Sequence, residues 1–450
     1  MQILQKYSLE LHANGAIMLL KKNANIAKIF SGEINMIKRD YYLNKLIRKI
    51  NNGLIKVITG IRRCGKSFLL FHIFRDYLLS QGIKKENIIS IELDRLSFEK
   101  LRNPYKLYEY VLNHIKSDEK YFILIDEIQM CNNFESVLND FLHMNNLDIY
   151  VTGSNSKLLS KDVITEFRGR GDEIHLNPLS FKEFYSSYDD FDTAWKEYYT
   201  YGGMPLVLSQ ESDEDKINYL KDLFTETYIK DIKERNKIKN DNEFEQLLNI
   251  ISSSVGSLTN PTKLVNTFKS VCNISISPNT IKDYLDYLED SYLIRKSLRY
   301  DIKGKKYINT PSKYYFTDIG LRNARLNFRQ QEENHIMENI IYKELCIRGF
   351  SIDVGVVEIN EKQLNGKYIR KQLECDFVIN KGSSRYYIQS AYDMPNDEKN
   401  DQEKKSLLNI EDSFKKVIIV KDNIKPKKDE NGILTIGLKD FLLNDESVDL

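Results

Sequence analysis

The residues with the plainest chemical purpose are Gly60, Ile61, Arg62, Arg63, Cys64, Gly65, Lys66 and Ser67, in a run that fits GxxxxGK[ST]. Glycines in such a loop let the backbone wrap phosphate oxygens, while loop amides and the start of the next helix supply positive dipole. A chance match somewhere in a chain of this length is on the order of 2 in 100. The pattern predicts a nucleotide-contacting stretch from Gly60 to Phe68, with Lys66 at the β- and γ-phosphates and the Ser67 hydroxyl on Mg²⁺. Downstream, Tyr121-Phe-Ile-Leu-Ile-Asp126-Glu127 sets two carboxylates at the C-terminal end of an apolar strand, the edge where open α/β sheets bind ligands. Asp126 is expected to hold the Mg²⁺ shell and Glu127 to polarise the attacking water. Another apolar strand, at Asp148–Thr152, runs into Ser154 and Asn155, either of which could bond the γ-phosphate or the water. Arg168 and Arg170 flank Gly169, and an arginine there, Arg170 by preference, could reach a γ-phosphate on a neighbouring subunit. Arg62 and Arg63 face two alternatives, phosphate contact or pairing with acids of a lid. Cys64 reads as a small filler in preference to a thiol whose modification blocks ATP.

These groups need a scaffold. Short apolar runs at 57–59, 88–93, 122–125 and 149–152 alternate with helical patterns such as Phe68, Leu69, Leu70, Ile73 and Phe74. Runs apolar on both faces are what a buried parallel sheet requires. A capping box at Ser180 to Glu183, just after Pro178, closes the sheet region and opens a helical lid. A turn follows at Tyr201 to Pro205, and residues 212 to about 255 are helical and highly charged. The expected division is 1–35, an extension preceding a start at Met36; 36–185, a P-loop ATPase core; 186–255, a lid or linker; 256–330; and 331–450.

Composition narrows the class. The chain has 450 residues, a net charge of +1 and five cysteines with no CxxC pair. A near-neutral balance provides no overall field toward nucleic acid or anionic lipid, and no run approaches the roughly 20 apolar residues of a membrane span. Dispersed cysteines fit a reducing cytoplasm and neither a disulfide framework nor a zinc finger. The expectation is a soluble cytoplasmic protein without an export signal.

The strings GIRRCGKS, ILIDEIQ, VTGSN, FRGRGDEIHLNPLSFKEF, YGGMP and YIKDIKER, taken together, resemble one prokaryotic family. It is that of archaeal-type AAA-like ATPases carrying a winged helix and a restriction-endonuclease-like C-terminal domain of unknown function. The resemblance runs from about Met36 to about Val420. It implies an α/β P-loop NTPase sheet with the Ser154 strand between the other two site strands, a small helical lid, and ATP hydrolysis with Mg²⁺.

Ser277-Pro278 reads as an N-cap and first helical residue opening Ile281, Tyr284, Leu285 and Leu288 at helical spacing. This would be a winged-helix recognition element, with wing strands at 293–300 and 307–316 carrying Arg295, Lys296, Arg299, Lys303, Lys305 and Lys306. Double-stranded DNA is one expected partner. Acids at Asp283, Asp286, Glu289 and Asp290 oppose it and leave a protein partner or a lid role as the other. An oligomer is compatible with the sequence, and an arginine that reaches a neighbouring subunit would require one. In the last segment Glu338, Asp376 and Gln389 follow the order of a nuclease metal site. Gln389-Ser-Ala391 lacks the expected lysine, so the domain reads as degenerate, unless Lys404 or Lys405 enters from the next helix.

Overall fold

The computed structural model describes residues 37–153, 169–329, 332–362, 367–394 and 397–450. The expected start at Met36, the 1–35 extension, Ser154, Asn155 and Arg168 lie outside them.

The four predicted strands form as β1 (Ile55–Thr59), β2 (Ile88–Glu92), β3 (Tyr121–Asp126) and β4 (Leu147–Thr152). With β5 (Gly171–His175) they make a parallel sheet in the order β2-β3-β4-β1-β5. β4 thus lies between the phosphate-loop strand and the Asp126 strand, as the resemblance implied. Alternate side chains of β3 enter different cores. Phe122 and Leu124 pack toward Leu70 and Phe74 of the helix that follows the loop, and Ile123 and Ile125 toward Leu107 and Leu138 on the other face. Burial on both faces is why these strands read as continuous apolar runs. β5 was not foreseen: it lies at the sheet edge, and Gly171, Asp172 and Glu173 give it no apolar run.

The capping box forms as expected. Ser180 accepts from the Glu183 amide at 3.1 Å and Glu183 accepts from the Ser180 amide at 2.9 Å, opening helix Phe181–Tyr185. Ser277 likewise caps helix Pro278–Asp290, whose Ile281, Tyr284, Leu285 and Leu288 are all buried.

A second, mixed sheet contains β6 (Ile294–Asp301), β7 (Lys306–Phe316), β8 (Ser351–Lys362), β9 (Tyr368–Lys381), β10 (Ser384–Ala391), β11 (Lys415–Val420), β12 (Lys427–Lys428) and β13 (Leu434–Gly437). Its order is β12-β13-β11-β10-β9-β8-β6-β7. The β6–β7 hairpin is therefore not a free wing. It continues the C-terminal sheet through parallel pairing of Arg299 to Asp301 with Val354 to Val356.

A buried polar hub ties these layers together. Asp318 is fully buried and accepts from the amides of Gly203 at 2.7 Å, Gly320 at 3.0 Å and Leu321 at 3.3 Å. Lys343 lies 3.8 Å from Asp318 and donates to the Leu179 carbonyl at 2.9 Å and the Tyr198 hydroxyl at 2.8 Å. Glycine is required at 202, which has φ +73°, because a Cβ there would stand 2.1 Å from Asp318 Oδ1. None of the described helices is long and apolar enough to cross a membrane.

Candidate nucleotide site

The loop after β1 is shaped by close backbone approach. At Gly60, with φ +140°, a Cβ would meet the Leu176 carbonyl oxygen at 2.2 Å, and Gly65 has φ +101°. Only glycine tolerates such positions without strain. Lys66 is 4% exposed, and its ammonium donates to the carbonyls of Gly60 at 3.0 Å and Ile61 at 3.1 Å. It has no carboxylate partner among the described residues. A buried cation satisfied only by carbonyls fits a site that receives an anion.

Opposite it, Ser67 Oγ donates to Asp126 Oδ2 at 2.6 Å. Burial raises the Asp126 carboxyl above its ordinary range, opposed by hydrogen bonds from Ser67 and Thr152. A divalent cation would relieve that desolvation. Thr152, fully buried at the end of β4, donates to Asp126 Oδ1 and accepts the Glu127 amide at 3.0 Å. Glu127 adopts a left-handed backbone, φ 51°, and its carboxylate accepts from Gln129 Nε2. Sequence reading passed over Thr152 as an ordinary strand residue. The signal was a hydroxyl ending an otherwise apolar strand beside the Asp126 strand.

The loop is also gripped from outside. The Tyr228 hydroxyl donates to the Arg62 carbonyl at 2.6 Å, and the Arg62 guanidinium pairs with Asp231 at 2.9 Å. Asp231 lies 3.5 Å from Arg235 as well. Asp231 belongs to the segment expected to form the lid, so the Arg62 guanidinium is held from that side. Cys64 is fully buried, its thiol directed to the Leu176 carbonyl, and burial pushes its pKa up. A buried thiol with a raised pKa is a poor nucleophile.

Residues 52–185 match the AAA domain family, and residues 192–332 match a domain of unknown function, DUF8612. A Haemophilus influenzae protein described as uncharacterised is 35% identical over 416 residues, covering 91% of this chain and 99% of the relative. A Methanocaldococcus jannaschii protein with the same description is 31% identical over 394 residues, covering 84% and 83% respectively. The chain belongs to their family, and its parallel-sheet core carries the match to the AAA domain. Among solved structures, the ORC1 protein of Aeropyrum pernix in complex with DNA aligns with 64% of this chain and 91% of its own, at 10% identity and a TM-score of 0.30. A DNA polymerase III gamma subunit-related protein of Thermotoga maritima aligns with 56% and 99%, at 12% identity and a TM-score of 0.26. The DUF8612 match spans both segments, 186–255 and 256–330, that sequence reading divided.

Within the AAA domain, Arg170 is exposed and its carbonyl accepts from the Ile55 amide at 2.9 Å. Ile55 begins β1 and Gly60 follows its end, so Arg170 lies about 16 Å along the strand direction from the phosphate loop. It belongs to the opposite edge of the sheet and does not join its own chain's site.

The C-terminal carboxylates assemble differently from expectation. Glu338 and Asp376 do come together, but around an unforeseen lysine. The ammonium of Lys313, on β7, lies 2.8 Å from Glu338, 2.7 Å from Glu374 and 3.5 Å from Asp376, and Lys313 is 3% exposed. The Tyr315 hydroxyl adds a bond to Glu338 at 2.7 Å. Gln389 is turned to the Asp376 amide at 3.4 Å and to Glu403 at 3.3 Å. Lys404 and Lys405 go elsewhere, to Asp429 and Glu361, each at 2.8 Å. Among the described residues no group of His, Cys, Asp and Glu is arranged to hold a metal ion. The ammonium of Lys313 stands where three carboxylates converge.

Proposed function

We propose that this protein binds and hydrolyses Mg²⁺-ATP and uses the cycle to move its helical segment and second sheet against a protein partner. The observation that carries the reading is the pairing of a buried Lys66, without a carboxylate partner among the described residues, with the Ser67–Asp126 contact at the C-terminal edge of the parallel sheet. In this reading the loop amides and Lys66 bind the phosphates, Ser67 and Asp126 orient Mg²⁺, and Glu127 takes a proton from the attacking water. Held by Ser67 and Asp126, Mg²⁺ would supply neutralisation of phosphate charge. Thr152 holds Asp126 and the Glu127 backbone in register, so the metal-side acid and the base stay fixed relative to one another.

Movement is transmitted through the lid. Tyr228 and Asp231 hold the loop at Arg62, so phosphate arriving in the loop competes with Asp231 for the guanidinium. Residues 256–330 are read as a winged helix, with helices Pro261–Thr267 and Pro278–Asp290 ahead of the β6–β7 hairpin. A protein partner is favoured because helix Pro278–Asp290 buries its apolar face and leaves Asp283, Asp286 and Asp290 exposed, which a DNA groove would repel. Duplex DNA is the second reading, supported by the exposed Lys303, Lys305 and Lys306 at the hairpin turn. Residues 331–450 are read as a nuclease-like fold without cleavage activity, with Lys313 of the preceding segment reaching in from β7 to its carboxylates.

The test is ATP turnover by the purified chain, with and without duplex DNA across a salt series. Lys66→Ala should abolish nucleotide binding, and Glu127→Gln should keep binding and slow turnover by roughly 100-fold or more. Equal turnover in parent and Glu127→Gln would remove Glu127 from the mechanism. DNA stimulation that fades with salt would favour the second reading over the first.

A further inference from the structure

A cleft of about 420 Å³ opens beside β5, where helix Asp40–Arg48, β6 and helix Glu333–Ile347 converge. That volume lies within the range of small-molecule sites. Its charge pattern is unusual. The guanidinium of Arg295 donates to Asn177 Oδ1 at 2.7 Å and otherwise neighbours Cys346, Tyr342 and Tyr42. Lys45 lies over the rings of Tyr41 at 4.3 Å and Tyr42 at 5.9 Å. Neither cation has a carboxylate partner among the described residues, although both line the cleft. Both cations are half-buried, and a cation partly withdrawn from water favours a matching anion.

The carboxylate on the wall does not fill this role. Glu173 accepts the Thr59 hydroxyl at 2.5 Å and is 41% exposed. That bond also fixes the histidine beside it. Thr59 has a single hydroxyl proton and spends it on Glu173, so at its 3.1 Å contact with His175 Nδ1 the ring is the donor. Nε2 is then a bare acceptor, buried with no hydrogen-bond partner among the described residues. Burial, reinforced by the positive field of Arg295, Lys66 and Lys45, keeps the imidazole neutral by lowering its pKa well below the ordinary value. The Tyr292 ring meets the imidazole edge-on, with centroids 4.8 Å apart, and holds it in that orientation.

We propose that this cleft binds a small phosphorylated molecule. A phosphate monoester bears about −1.5 to −2 charge near neutrality, which matches Arg295 and Lys45 together. The planar fork of Arg295 and the point charge of Lys45 are both suited to phosphate oxygens. Occupancy would be felt at the nucleotide site, because Thr59, which anchors both Glu173 and His175, immediately precedes Gly60.

The test uses the full chain carrying Lys66→Ala, so that phosphate cannot be held by the loop lysine, with inorganic phosphate as the probe. Thermal unfolding is followed against phosphate and against chloride at equal ionic strength. The expected result is a saturable rise of roughly 3 °C specific to phosphate, lost when Arg295→Met is added and weakened by Lys45→Met. A shift reproduced by chloride, or one that survives both substitutions, would overturn the proposal. So would a shift present in the parent chain and absent from Lys66→Ala alone, since the phosphate would then reside in the glycine loop. Lys45, on the outer helix, serves as the independent variant if Arg295→Met fails to fold.

Discussion

Replacing Lys313 with methionine is a demanding perturbation, because the lysine's ammonium is within 3.5 Å of all three carboxylates, Glu338, Glu374 and Asp376. Methionine keeps most of the side chain's volume and removes its charge, leaving buried acids without their counter-ion. Breaking a buried pair in this way costs about 3–5 kcal/mol. For a unit of the size of the second sheet with its helices, that corresponds to a fall in Tm of roughly 6–20 °C. The effect should also depend on pH. Burial raises the Asp376 carboxyl to about 7, Lys313 pulls it down and Glu338 pushes it up. The folded form thus binds this proton more tightly than the unfolded chain does. Its stabilising contribution is complete below the unfolded carboxylate value of about 3.9 and is lost as pH rises through about 7. Lys313→Met removes the lowering partner, so the penalty should be greater at about pH 8 than at about pH 5. Scanning calorimetry of parent and variant at both pH values measures this directly. Adding Asp376→Asn to Lys313→Met should recover part of the loss, as a coupled pair requires. A Lys313→Met protein melting within about 2 °C of the parent at the higher pH would refute the argument, since only solvated residues are so tolerant.

Thr152→Val preserves shape and deletes the hydroxyl that joins Asp126 to the Glu127 amide. A loss of about 1–3 kcal/mol predicts turnover reduced roughly 10- to 100-fold with nucleotide affinity changed little, read from separate binding and steady-state measurements; a fall in affinity alone would contradict it. Asp231→Asn releases Arg62 from its 2.9 Å partner. The pair is partly exposed, so stability should change by less than about 1 kcal/mol, while a fluorescent ATP analogue should bind a few-fold more tightly; weaker binding would count against the latch. Gly202→Ala brings a Cβ to 2.1 Å from Asp318 Oδ1, whereas Gly82, at φ +83°, has nothing within 4 Å. The first should cost more than about 2 kcal/mol and the second about 1 kcal/mol, a ranking that urea unfolding can check.

What the chain's order of residues determined by itself is what neighbouring residues decide among themselves. Continuous apolar runs specify buried strands such as β1, β3 and β4; Ser180 with Glu183, and Ser277 with Pro278, open helices; Gly60 and Gly65 permit a loop that side chains would block. These depend on interactions within a few positions, so periodicity and spacing reveal them. The edge strand β5 escaped because its exposed, acidic residues carry no such pattern. Contacts between distant positions are a different matter. Tyr228 meets Arg62 across 166 residues, Thr152 meets Asp126 across 26, and Lys313 meets Glu338 across 25. No local preference of lysine indicates that β7 will point it at acids from another helix and strand, and the missing lysine near Gln389 suggested only its sequence neighbours. Likewise, the hairpin's membership of the second sheet follows from its pairing with β8, and the charge of the cleft beside His175 from elements far apart in the chain. Tertiary structure decided these because hydrogen bonds and ion pairs depend on distances of a few ångströms, which only the packed chain establishes.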